Sequence, residues 1–168
     1  MHTANRMLVT TKGAARTRAF GRRLARLLRP GDVVLLQGPL GAGKTTLVQG
    51  VGSGLGVPGP VASPTFVLLA RHDVPDEDLR PEGPRSLYHA DLYRLTDLEE
   101  VRELQLAEQS EDGALLIEWP ERGLEALPEE HLLVVIEPDP DTPDARRLTL
   151  VAMGERYHRI VDGLGGRG

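Results

Sequence analysis

The stretch Gly38-Pro39-Leu40-Gly41-Ala42-Gly43-Lys44-Thr45-Thr46 constrains this chain more than any other. It contains Gly-x-x-x-x-Gly-Lys-Thr, whose glycines let successive backbone N–H groups converge on phosphate oxygens. The helix that follows adds the positive end of its dipole. A lysine at this place reaches the β- and γ-phosphates, and the hydroxyl after it binds magnesium. Lys44 and Thr45 are therefore assigned those two tasks, and Gly38 to Thr46 together the binding of ATP or ADP with Mg2+. A glycine-rich turn can match the pattern by chance, so the flanks decide. Val33 to Leu36 is an unbroken apolar run, as in a strand buried on both faces of a parallel sheet. Leu47, Val48, Val51 and Leu55 continue as a helical stripe, with Gly56 placed as a cap. Strand, glycine loop and helix are the context the motif requires. Gly50, Gly52 and Gly54 each weaken this helix by about 1 kcal/mol relative to Ala, so packing has to hold it.

The remainder of the 168 residues fits one globular domain over 1–168, with 40% hydrophobic and 27% charged residues. Aromatics are only 4%, so the core must come from Leu, Val, Ile and Ala, which suits helices packed on a parallel sheet. There is no cysteine, which excludes disulfides and thiolate metal sites and fits the reducing cytoplasm. No apolar run approaches the roughly 18–20 residues of a membrane span, and Met1 to Thr10 has no secretory apolar region. The net charge of −5 lacks the positive excess of free nucleic-acid binders. No DNA binding is expected, and any RNA contact must be local or made through a partner.

Residues 15–28 read as a helix, with Phe20, Leu24, Leu27 and Leu28 on one side. The other side carries Arg16, Arg18, Arg22, Arg23, Arg26 and Arg29, open to tRNA or an acidic partner, or simply solvated. Segments 1–14 and 163–168 read as loose ends, and 71–85 as a mobile loop. Leu87 to Leu92 reads as a strand, and Thr96-x-x-Glu99 as a capping box opening a helix. Leu132–Ile136 and Arg147–Val151 read as a strand pair joined by a turn-rich segment.

A phosphate loop needs a carboxylate at the end of a neighbouring buried strand to orient magnesium. Two apolar runs end in glutamate, Ala114–Glu118 and Leu132–Glu137. The second continues into a hairpin. The first follows a helical segment and ends in Trp119-Pro120, as a parallel strand does at the edge that carries ligands. Glu118 is therefore the metal candidate beside Thr45, and Glu137 a solvent-facing strand end. Asp91 lies in a strand-like stretch where Asp is unfavourable. Spacing alone leaves it open between a structural hydrogen bond and a catalytic role. It also leaves Thr65, in Ser63-Pro64-Thr65, open between a γ-phosphate switch and an ordinary turn. His89 reads first as a packed histidine, and Arg146 and Arg147 as surface charges or groups near the nucleotide.

Four segments occur in order: residues 38–46, Ser63-Pro64-Thr65-Phe66, His89-Ala90-Asp91-Leu92-Tyr93-Arg94-Leu95 and Ile117-Glu118-Trp119-Pro120. Together they resemble the TsaE (YjeE) family of bacterial ATPases of tRNA threonylcarbamoyladenosine synthesis, over about residues 15–152. The resemblance implies an α/β P-loop NTPase-like three-layer fold, with a mainly parallel sheet flanked by helices and added antiparallel strands. It implies slow ATP hydrolysis in support of a complex of TsaD and TsaB, through which tRNA is reached. Matched position by position, Lys44 and Thr45 correspond to the phosphate and magnesium residues, Thr65 to the switch threonine and Glu118 to the magnesium glutamate. Asp91 and Trp119 correspond to an aspartate and a tryptophan of the family's motifs. Pro39 departs from the family's usual Asp, and the 71–85 loop is longer than expected. Rival readings are a nucleotide or metabolite kinase, a GTPase and a non-hydrolysing scaffold. The GTPase reading lacks Asn-Lys-x-Asp, and the kinase reading lacks a clear arginine lid.

Overall fold

The computed structural model describes residues 5–61 and 68–166. Among these, seven strands form one sheet in the order β1-β7-β6-β2-β5-β4-β3. The strands are β1 (Asn5–Lys12), β2 (Val33–Gln37), β3 (Leu69–Asp73), β4 (Ser86–Asp91), β5 (Ala114–Glu118), β6 (His131–Pro138) and β7 (Ala145–Met153). β2 lies parallel to both β5 and β6, and β4 lies parallel to β5. The outer pairs β3–β4, β6–β7 and β1–β7 are antiparallel. This is the α/β arrangement expected, a parallel centre with antiparallel additions.

Burial explains why the parallel strands read as unbroken apolar runs. Val34 and Leu36 of β2 join a core with Phe20, Leu24, Leu47, Val51 and Ile160 on one face. Val33 and Leu35 point the other way, into a core with Tyr88, Val101, Leu106 and Ile117. The first face is covered by α1 (Ala14–Ala25), α2 (Lys44–Gly54) and α5 (Glu155–Gly165), the second by the short α3 (Leu98–Glu103) and α4 (Leu106–Gln109). No described helix is long and apolar enough to cross a membrane.

Several local expectations are corrected. Within the expected loose end 1–14, residues 5–12 form β1, paired along its whole length with β7. Nor is 163–165 loose: α5 runs to Gly165, with Tyr157, Ile160, Val161 and Leu164 buried at helical spacing. Arg156 of α5 grips Asp32 through two bonds of 3.0 and 2.7 Å and donates to Leu27 O at 2.7 Å. Tyr157, its hydroxyl accepting from Val33 N at 2.9 Å, has its pKa pushed up to about 12 by burial. The start of the 71–85 loop belongs to β3. The cap of α3 is Asp97 rather than Thr96, its carboxylate accepting from Glu99 N at 3.0 Å. Asp is the better cap of the two.

The glycines that tax α2 are what let it lie against α1. A Cβ added at Gly50 would stand 2.3 Å from Arg18 O, and one at Gly21 2.6 Å from Leu47 O. Backbone meets backbone there, which no flexible side chain can relieve. Gly50→Ala should therefore lower stability by about 1–3 kcal/mol by overpacking, despite the better helix propensity of Ala. Urea unfolding measures it. A stabilised variant would mean that the helices are farther apart.

Candidate functional site

β2, β4 and β5 end at the same height because the ladder aligns them. Asp91 pairs with Glu118, and Glu118 with Leu36. The chain leaves β2 into the glycine loop, and α2 starts at Lys44. Gly41 (φ 77°) and Gly43 (φ 109°) take left-handed conformations that suit glycine. Gly38 has no room for a side chain, since a Cβ would lie 2.3 Å from Ile136 O. A cleft of about 260 Å³ results, lined by residues 40–46, Asp91, Glu118 and Trp119. Gly38 and Pro39 lie just behind it, and Pro39 O accepts the turn bond from Ala42 N at 3.1 Å.

Glu118 is 3% exposed, and its charge needs partners at such burial. Thr45 Oγ1 lies 3.3 and 3.2 Å from its two carboxylate oxygens. His89 Nε2 donates to Oε2 at 2.5 Å from a fully buried ring. His89 and Asp91 are two apart on β4, so both face the same side of the sheet. The other ring nitrogen, Nδ1, is buried without a partner, as is Nε2 of His72 on β3. Burial, then the nearby His89, hold the His72 pKa below its usual value.

Lys44 Nζ donates to Gly38 O and sits 3.5 Å from the centre of the Trp119 ring. Burial lowers the Lys44 pKa, opposed by the charges of Glu118, Glu121 and Asp91. Trp119 adopts φ 59°, a strained conformation for a bulky residue. That turn presents its ring to both Lys44 and Tyr93, the latter 4.8 Å away between ring centres. Asp91 accepts from Tyr93 N at 2.9 Å, closing a turn, while also lining the cleft. The two roles that spacing left open for it are thus compatible in one position.

Glu137 is exposed at the end of β6 and does not line the cleft. Ser63 and Thr65 lie outside the described residues. Of Arg146 and Arg147, the first reaches the loop, donating to Ala42 O at 3.1 Å. It borders a smaller recess of about 110 Å³ with Gly13, Thr17, Asp144 and loop residues 41–43 and 46. Nothing in the local sequence around Gly13 and Thr17 pointed to this recess. They arrive through the pairing of β1, with Gly13 N donating to Asp144 O at 2.8 Å.

Comparison with known proteins bears on the same segments. The family model for threonylcarbamoyl adenosine biosynthesis protein TsaE matches residues 11–148. The tRNA threonylcarbamoyladenosine biosynthesis protein TsaE of Streptomyces coelicolor is 46% identical over 143 residues, 83% of this chain and 93% of that one. Its counterpart in Bacillus subtilis is 38% identical over 149 residues, 88% of this chain and 87% of that one. The crystal structure of Bacillus subtilis YdiB superposes with a TM-score of 0.74 at 31% identity, covering 98% of this chain and 97% of that one. With the family model spanning most of the chain and relatives this similar along nearly their whole length, the chain belongs to the TsaE family.

Proposed function

We propose that this protein binds ATP with magnesium, hydrolyses it slowly, and thereby supports a TsaD–TsaB complex that forms threonylcarbamoyladenosine beside the tRNA anticodon. The observation that carries the nucleotide reading is the meeting of Thr45, at the start of α2, with the buried Glu118 carboxylate 3.2 Å away. These hard oxygen donors suit Mg2+, which is commonly held by one or two carboxylates together with substrate phosphates. The ion would neutralise charge on the phosphates.

The chain's own groups then have distinct tasks. The loop amides and the start of α2 cradle phosphates, and Lys44 leaves Gly38 O and the Trp119 ring to meet the β- and γ-oxygens. His89 holds Oε2 of Glu118 so that the carboxylate keeps one orientation. Asp91 stands in the same cleft, where a carboxylate can orient a water. The recess bordered by Arg146 shares Gly41, Ala42, Gly43 and Thr46 with the phosphate cleft, and so receives the nucleoside side. Among the described residues Lys44 is the one cationic side chain lining the phosphate cleft, so transition-state charge is only partly met and hydrolysis by the chain alone is slow.

Lys44→Ala should cost about 1.5–3 kcal/mol of nucleotide binding, read by calorimetry. Wild-type affinity would remove the loop from the site. Glu118→Gln should keep the fold and most binding yet lose magnesium-dependent hydrolysis, whereas Glu137→Gln should leave turnover unchanged. The reverse pattern would put the metal carboxylate on the wrong strand. The functional reading is tested by ATP turnover with and without the TsaD–TsaB complex, alongside tRNA modification over many cycles. Modification that proceeds equally well without this protein would reject its supporting role.

A further inference from the structure

We propose that the groove between the free edge of β1 and helix α1 docks an extended, acidic segment of a partner protein, which adds a strand to the sheet. β1 ends the strand order and pairs only with β7, through eight consecutive residue pairs from Asn5–Ala152 to Lys12–Ala145 without a bulge. Among the described residues its backbone makes no hydrogen bond outside that ladder. An open edge of this length is a template for another chain, and proteins ordinarily blunt such edges with proline, bulges or central charges. β1 has none of these. Its charges, Arg6 and Lys12, stand near its ends, and Leu8 between them is 66% exposed. The opposite edge is managed differently: β3 has five residues and carries Arg71 and Asp73, ion-paired at 3.0 Å.

The groove beside β1 has a volume of about 530 Å³. Val9, Ala19 and Phe20 supply apolar lining, Lys12, Arg16 and Arg23 supply positive charge, and among the described residues no carboxylate lines it. Neither Lys12 nor Arg16 belongs to an ion pair among the described residues. Arg23 is held in place by the carbonyl of Leu164 at 2.5 Å and lies 5.9 Å from the Phe20 ring centre. A wholly positive groove on a chain of net charge −5 selects an anionic occupant. An added strand would take the open backbone groups of β1 and send every second side chain toward α1. Carboxylates at those positions meet Arg16 and Arg23, with Lys12 at the end of the groove.

Two other occupants fit less well. A second copy across a two-fold axis would bring the same cations against themselves. Nucleic acid would use the arginines but leave the backbone edge and Leu8 without partners. The proposal concerns a surface that shares no lining residue with the phosphate cleft, so it stands or falls apart from nucleotide hydrolysis.

The test uses the full-length protein, nitrogen-15 labelled, titrated with an end-capped eight-residue peptide of alternating Glu and Val. Saturable amide shifts confined to β1 and α1 are expected, with slower hydrogen exchange along β1. The double variant Lys12→Glu/Arg16→Glu should bind the peptide about tenfold more weakly, or worse, at an unchanged melting temperature. Absence of saturable binding, equal binding of an alternating Lys–Val peptide, or undiminished affinity in the double variant would overturn the proposal. So would bulk tRNA that displaces the peptide and shifts the same amides, which would make the groove an RNA surface. A concentration-dependent dimer in ultracentrifugation that occupies these amides without peptide would assign the edge to a second copy.

Discussion

The cleft depends on the ladder that aligns β2, β5 and β4. Parallel strands hold their residues at fixed heights, so Leu36, Glu118 and Asp91 end level with one another. A slip of one residue in β5 would turn Glu118 to the opposite face and set Ile117 against Thr45. Such a slip would carry apolar residues on both faces into the wrong layers, which is why burial on both sides specifies the register so strongly. The carboxylate then has a place at the edge of the sheet but little water. Thr45 and His89 supply the contacts that a charge at this burial requires.

The second constraint is the approach of α1 to α2. α2 has to start at Lys44, directly beyond the loop, and is fixed there by β2. Its glycines make it a poor helix in isolation, yet they remove the side chains that would hold α1 away. The energy lost in propensity is offset by burial of Leu47, Val48 and Val51 against Phe20, Leu24 and the sheet. The same packing sets α1 beside β1, and so shapes both the recess at Gly13 and Thr17 and the basic groove on its outer side.

Much of this was legible because the central elements are extreme in pattern. The apolar runs of β2 and β5, the glycine loop and the stripe of α2 each carry a signal within a few residues. Glu118 could be separated from Glu137 because one run is followed by Trp-Pro and the other by a hairpin turn. The edges were harder. β1 buries only alternate residues, Met7 and Val9 incompletely, so its pattern is weak beside an unbroken run. α5 does show Tyr157, Ile160, Val161 and Leu164 at helical spacing, but the glycines from 163 onward suggested a frayed tail. Asp91 and Arg146 were undecidable for another reason. Their positions depend on strand pairings between residues far apart in sequence, and Arg147 beside Arg146 differs only in the face it occupies.

Trp119 links the cleft to the surface, and its geometry explains why a tryptophan follows the glutamate. The left-handed turn at φ 59° is costly for this residue, so the surroundings must compensate. Part of the compensation is visible in the contact with Lys44 and in the tilted ring contact with Tyr93, above which Arg122 lies 5.4 Å from the ring centre. On the proposed reading, phosphate draws Lys44 away from the ring, and the strained turn loses one of the contacts that hold it. Tyr93 is 42% exposed, so the ring pair reaches solvent. A ligand shifts an equilibrium only by its differential affinity for the two arrangements. Cation–π contacts of roughly 0.5–2 kcal/mol are the right size for that difference, since couplings between sites are typically about 1–3 kcal/mol. On that reading the lysine proposed to bind phosphate is also the group whose departure the outer surface can register.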